Sequence, residues 1–290
     1  MFVHFEDWNA AERIAVTDLA KLLTEAEDTG LISAWFFMRK SPCWRVRFLP
    51  RDQSTAQNAT GLIHQRLDAL EHDHRITRWV KTIYEPETHA FGGSTAMDTA
   101  HRLFHMDSRH ILAYLGSDRS AAAEADDQRR ELSILLCSAL MRSAQQDWHE
   151  QGDVWARVAE HRTLPPDTPA DRLRGLEPGL RRLMTVDTAK LLQNNGTLAG
   201  WATAFTEAGA QLGELATGGV LRRGLRAVLA NHVIFAWNRL GLSHTRQSIL
   251  ANVAKAVVFT PQRGPAWARR CSDLERTSCN EPTKSVSAPD

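Results

Sequence analysis

Cysteine is scarce in this chain of 290 residues: there are four, at positions 43, 137, 271 and 279. They lie too far apart for a zinc knuckle or a Cys-x-x-Cys redox pair, so neither a disulfide framework nor a thiolate metal site is expected. Reduced thiols in a cytoplasm are the economical reading. Long apolar runs are lacking as well. No stretch approaches eighteen uninterrupted apolar residues, and the N-terminus, MFVHFEDWNAAER, carries acidic residues where a secretory signal needs a basic start. A soluble, cytoplasmic protein without membrane association is therefore expected. An excess of charge is also missing, since the formal net charge of +1 gives no bulk reason to expect nucleic acid as a partner. There is no glycine loop of the phosphate-cradling kind and no familiar metal-ligand spacing, so neither a metal nor an organic cofactor is expected.

What is present is an ordinary globular balance, 43% hydrophobic and 24% charged residues, in a chain at the upper end of single-domain length. Residues 74–109 organise it. Alternating apolar residues from Arg78 to Tyr84 predict a strand, which Pro86 and the Gly92-Gly93 pair punctuate. That strand delivers Glu85, Glu87 and His89 to a loop. Beyond the glycines, Met97, His101, Phe104, His105 and Ile111 recur at helical spacing, so one face carries apolar bulk and imidazoles together. Carboxylates and histidines then either meet at one strand end as acid and base, or form a solvated turn beside a core helix.

The first segment, Met1 to Phe5, reads as a short strand, followed by a helix through Thr24 or beyond that Gly30 stops. SAWFFMRK and CWRVRFLP read as paired strands about the Ser41-Pro42 turn. In the second of them Trp44, Val46 and Phe48 project one way and Arg45 and Arg47 the other. Two guanidiniums on one face either grip carboxylates bidentately or keep an exposed edge strand from aggregating. Residues 55–73 read as a helix that returns to the central strand in a βαβ-like passage.

From 93 onward the strand signal fades and amphipathic stretches follow at 93–116, 128–148, 150–162, 179–195, 198–217, 220–241 and 244–258. Trp148 and Trp155, two turns apart, read as packing residues, and Leu164 to Pro169 as a linker. Arg172, Arg174, Arg181 and Arg182 form a basic cluster or a solvated helix face. His232 sits in a continuous apolar helix that ends with Trp237, Asn238 and Arg239 before Ser243, and such a histidine is either a core residue or a base. The expected fold is α+β: a small, mostly antiparallel sheet with packed helices over 1–92 and a helical layer over 93–262, one domain in all, then a disordered tail over 263–290.

Four ordered blocks, WFFMRKSPCWRVRF, YEPETHAFGG with AHRLFHMDSR, DWHEQGDVWARV, and NHVIFAWNRLGLS, resemble the thiopeptide-type bacteriocin biosynthesis proteins. These are homologous to the C-terminal, elimination domain of lantibiotic dehydratases, and the resemblance runs over about residues 2–260. It implies action on a ribosomally made precursor peptide, in which glutamate esterified to Ser or Thr is eliminated to leave dehydroalanine or dehydrobutyrine. A separate glutamyl-tRNA-dependent protein would add that glutamate. Arg45 and Arg47 match the Arg-x-Arg strand of glutamate recognition. Two features depart from the family: a further arginine of the YEPETHAFGG segment is missing, and the histidine expected just before the Asn-Arg pair is replaced, with His232 the nearest substitute. His232, His101 and Glu87 are thus the candidate acids and bases. A second branch of the family joins two dehydroalanines in a formal [4+2] cycloaddition with leader release, for which Glu85, Glu87, Trp237, Asn238 and Ser243 would suit, with Arg239 beside them. A non-catalytic leader-binding subunit, accepting peptide at a sheet edge, is the third expectation. The reading rests on the early arginines, the acidic turn and the end of the late helix lining one peptide-sized cavity.

Overall fold

Of the two longest strands, CWRVRFLP alternates aromatic and β-branched residues with basic ones, which suits a sheet face lined with polar groups, while ISAWFFMRK carries apolar side chains on both faces. A computed structural model of the chain describes residues 1–8, 10–117 and 128–260. The tail expected over 263–290 lies outside the described residues. Strand β1 is Phe2–His4, β2 Ile32–Lys40, β3 Cys43–Pro50 and β4 Arg78–Val80. Helix α1 covers residues 11–28 with a π-helical stretch, Ala15–Leu19, inside it, and α2 is Ala56–His72. The sheet order is β2-β3-β1-β4, with every adjacent pair antiparallel.

Both β3 and β4 oppose β1, so they run parallel to each other and α2 joins them; β1 and β2 are related in the same way through α1. The βαβ-like passage read from the sequence is therefore one of two interleaved crossovers, a βαββαβ unit of ferredoxin-like topology. Strand β4 is shorter than the Arg78 to Tyr84 run predicts. Its partner β1 supplies only three paired residues, and beyond Val80 the chain continues without ladder bonds to it. Tyr84 to Glu87 thus leave the sheet and turn toward the helical layer.

That layer comprises α3 (Ser94–Leu115), α4 (Gln128–Ser143), α5 (Trp148–Glu160), α6 (Ala170–Thr185), α7 (Thr188–Leu192), α8 (Gly196–Thr217), α9 (Leu225–Leu240) and α10 (His244–Phe259). A capping box between Asp147 and Glu150 starts α5. The helix expected over 179–195 is two helices, because the chain turns extended at Val186 and Asp187 caps a new start through the Lys190 amide. Residues 1–258 make up one compact unit.

Helix α3 closes the β2 edge of the sheet. His105 Nδ1 lies 3.1 Å from the Trp35 amide nitrogen, and Ser108 Oγ accepts from the Phe37 amide at 3.3 Å. These contacts occupy ladder positions that an added strand would need along β2.

A buried ion pair ties the layers together. Arg239 Nε donates to Asp107 Oδ2 at 2.6 Å, and the Trp201 indole donates to Oδ1 at 2.7 Å. The Arg239 guanidinium also stacks on Phe104 at 4.4 Å and reaches Met38 Sδ at 3.6 Å. One cluster thus joins α3, α8, α9 and β2. Burial pushes the Asp107 carboxyl up and the Arg239 guanidinium down, each opposed by the other's charge. Removing one partner of such a pair strands a charge in the core, so Asp107→Asn should cost about 3–5 kcal/mol. Urea denaturation would measure it; a loss under about 1 kcal/mol, the scale of an exposed pair, would show that the cluster does not hold the layers.

Candidate active site

The acidic turn is fixed by its glycines. Gly92 and Gly93 adopt φ of 91° and 113°, a region that side chains strain to enter. A Cβ on Gly92 would also lie 3.1 Å from both Leu221 and Val228. Two hydrogen bonds pin the turn to α9 and the segment before it: Arg222 N to Gly92 O at 2.9 Å and Asn231 Nδ2 to Ala90 O at 2.8 Å. Phe91 is fully buried among Phe104, His232 and Phe235. The chain after β4 is thereby anchored beside the late helix.

Between them lies a cavity of about 410 Å³. Phe36, Phe104 and Phe235 supply apolar wall, and Arg45, Arg47, Arg39, Lys40 and Arg162 supply positive charge. Glu87 is the only carboxylate among its described lining residues, and Asn238 lines it from the end of α9. The strand arginines, the acidic turn and the late helix therefore do meet. Arg45 stacks over Phe2 at 5.1 Å, and Arg47 over Tyr84 at 4.7 Å and Phe36 at 5.8 Å. Arg45 Nε and Arg47 Nε and Nη1 are buried without a hydrogen-bond partner among the described residues. Burial holds the Arg47 guanidinium below its usual range, countered by Tyr84 and Glu87 and reinforced by Arg45. Buried donors left unpaired cost about 1–3 kcal/mol each, and an entering carboxylate removes that cost. The wall is built for an anion.

Tyr84, which sequence reasoning passed over as a strand end, faces the same cavity. Its hydroxyl shares a 2.9 Å hydrogen bond with His101 Nε2. His101 stacks on Phe36 at 5.9 Å and lines a second, larger cavity of about 820 Å³ with Asp98 and His105. Burial pushes the Tyr84 phenol up to about 12, aided by Glu87, and lowers the His101 imidazole. At neutral pH the pair is an uncharged phenol and an uncharged imidazole bridging two cavities.

The remaining candidates are placed apart from this wall. Glu85 is exposed and lines none of the described cavities. Trp237 is fully buried and stacks on Trp155 at 5.9 Å, and Arg239 is spent on Asp107. Ser243 caps α10 through the Arg246 amide at 3.3 Å and borders a neighbouring cavity of about 620 Å³. Arg174 pairs with Asp171 on the exposed face of α6. Among the described residues no cluster of His, Cys, Asp or Glu could hold a metal ion, and no helix is long and apolar enough to cross a membrane.

His232 is 1% exposed, edge-on to Phe91 at 4.9 Å, with neither ring nitrogen hydrogen-bonded among the described residues. Burial, helped by Arg239, pushes it down to about 3. A folded-state value below the unfolded one of about 6.5 means that the folded chain resists the proton that the unfolded chain accepts. Its contribution is intact above pH 6.5 and is lost as pH falls toward 3. His232→Phe should flatten the acid limb of stability by up to about one proton; an unchanged limb in pH-dependent urea titrations would contradict the placement.

This arrangement can be set beside known proteins. No curated protein matches the chain. In fold it is similar to the tRNA-dependent lantibiotic dehydratase MibB from Microbispora sp. 107891, at a TM-score of 0.63 and 18% identity over 95% of this chain. It spans only 28% of the length of MibB. It is also similar to TsrL, with a TM-score of 0.61 and 16% identity over 89% of this chain and 96% of TsrL. The family profile described as lantibiotic biosynthesis dehydratase C-term matches residues 2–258, almost all of the described chain, and to that peptide-modifying family the protein belongs.

Proposed function

We propose that the protein eliminates glutamate from glutamylated Ser or Thr residues of a ribosomally made, leader-bearing precursor peptide, leaving dehydroalanine or dehydrobutyrine. The observation that carries this reading is the pair of strand guanidiniums with unpaired buried donors on the wall of a peptide-sized cavity. A glutamyl ester brings one free carboxylate, and its leaving oxygen becomes a second. Arg45 and Arg47 offer a fork to each, and the charge that develops on departure falls where donors are already fixed. Glu87 supplies the countercharge for the glutamyl ammonium.

The proton from Cα passes to Tyr84 Oη as the Tyr84 proton passes to His101 Nε2. The Cα electron pair forms the Cα=Cβ bond, the Cβ–O bond breaks, and glutamate leaves with the bonding electrons. His101 then discharges its proton into the larger cavity behind it. His232, walled in by Phe91 and Phe104, takes no part. The glutamate would be installed by a separate glutamyl-tRNA-dependent partner.

A second reading, the formal [4+2] cycloaddition of two dehydroalanines with leader release, draws on the aromatic walls of the cavity, Phe36, Tyr84, Phe104 and Phe235. Such a reaction is assisted chiefly by holding the two partners in register. A leader-binding role without catalysis finds less support, since α3 occupies the β2 edge and the opposite edge strand, β4, offers only three residues to an added peptide strand.

Incubation of the purified protein with glutamylated precursor, followed by mass spectrometry, separates the readings. Elimination yields the dehydrated mass, whereas leader release from a peptide that already holds two dehydroalanines, without action on the ester, would replace it with the cyclase. Under elimination, Arg45→Ala and Arg47→Ala should each lower kcat/KM about 100-fold and let glutamylated peptide accumulate, while Arg174→Ala has little effect. Tyr84→Phe should lower kcat with little change in KM. Because His101 must accept a proton, the wild-type rate should fall as pH drops through its depressed imidazole value. Full turnover by the Arg45/Arg47 double variant would remove the carboxylate clamp.

A further inference from the structure

The 620 Å³ cavity beside the proposed site has no role in the elimination just described. It shares Arg39, Arg162 and Asn238 with the first cavity, so the two adjoin along one wall. Its charge is unbalanced. Glu12, the only carboxylate among the described lining residues, is already claimed by two guanidiniums: Arg129 grips both its oxygens at 2.8 Å, and Arg39 Nη1 donates to Oε1. Burial alone would push the Glu12 carboxyl up, but those two charges outweigh it and hold it below its usual range. Arg162 and Arg246 line the same space.

Arg39 shows where an anion fits. Its side chain is 6% exposed and stacks over Trp44 at 4.6 Å. Its Nε and Nη2, and the Trp44 indole nitrogen, are buried without a hydrogen-bond partner among the described residues. The backbone makes room for the group: Gly241 ends α9 at φ 83°, and a Cβ there would lie 2.9 Å from Arg39 Cζ and 3.3 Å from Glu12 Oε1. A guanidinium with unpaired donors, more than nine-tenths buried on the wall between two cavities, fits a ligand continuous with the one in the first cavity.

We infer that the second cavity binds an acidic segment of the same peptide substrate, an Asp or Glu side chain flanking the residue being processed, with Arg39 and Arg162 as its partners. This rests on the proposed function for the identity of the peptide, but binding can be measured without the chemistry. The probes are fluorescent peptides with a central, unmodified Ser flanked either by Asp and Glu or by Asn and Gln, compared by anisotropy at fixed ionic strength.

The acidic peptide should bind about tenfold tighter to the wild-type protein. That advantage should vanish in Arg162→Gln, whose half-buried side chain bonds only Gln247 and the His161 carbonyl among the described residues, and in Arg39→Lys, which keeps the charge but loses the fork. It should survive in Arg47→Ala, whose defect falls on the glutamyl ester. Failure of elimination with this pattern intact would therefore leave the inference standing. Equal binding of the two peptides to the wild type, or an acidic advantage that persists in both arginine variants, would overturn it. So would displacement of the acidic peptide by an unstructured RNA oligonucleotide at lower concentration than by unlabelled acidic peptide.

Discussion

The contact on which the site depends is the buried pair of Asp107 and Arg239. An ion pair in the core gains little over apolar packing, but it tolerates only one geometry, and so it sets register. Here it fixes the end of α9 against α3 and β2, with Trp201 holding the second carboxylate oxygen and Phe104 lying under the guanidinium. Asn238 and Phe235, on the same helix end, are carried to the cavity by that docking. The glycine turn completes the frame, since the Arg222 and Asn231 hydrogen bonds bring Glu87 and Tyr84 to the other wall.

Within this frame the charges are sorted by need. Guanidiniums whose partners are internal, Arg239 and Arg129, brace the fold. Arg45, Arg47 and Arg39 have buried donors left over and line the cavities, whereas the donor left over on Arg239, Nη2, is enclosed in the core. An arginine is expensive to desolvate and cannot escape by losing its proton, so unsatisfied guanidinium nitrogens on a cavity wall mark where an anion stabilises the protein as well as binding to it. The uncharged Tyr84 and His101 pair complements them: a proton acceptor that is itself charged would compete with the substrate carboxylates for the same arginines.

Much of this was legible in the sequence, and the exceptions have physical causes. Strand parity put Arg45 and Arg47 on the face opposite Trp44 and Val46, and the glycine pair announced the turn. The same parity places Arg39 with Trp35 and Phe37 on the core side, where an arginine needs a partner that only the tertiary fold supplies, in this case Glu12 from a distant helix, which Arg129 shares. Tyr84 was hidden for another reason: alternation continued past the point where β1 could pair with it, so a residue of the cavity wall read as part of a strand. His232 was ambiguous because α9 is apolar almost all round, and periodicity cannot tell which face of such a helix meets a cavity. Proximity to the Asn-Arg pair suggested chemistry; burial against Phe91 and Phe104 places it in the core.

The central claim is that the Arg45 and Arg47 wall receives glutamate attached to a peptide. The most direct test is a crystal structure with a precursor fragment in which the labile ester is replaced by an amide, so that the glutamyl group stays in place. The account predicts its free carboxylate within hydrogen-bond distance of the Arg45 and Arg47 guanidiniums and the Cα hydrogen facing the Tyr84 hydroxyl. A glutamyl group seated instead in the larger cavity behind His101, or on the outer surface with both arginines untouched, would contradict it.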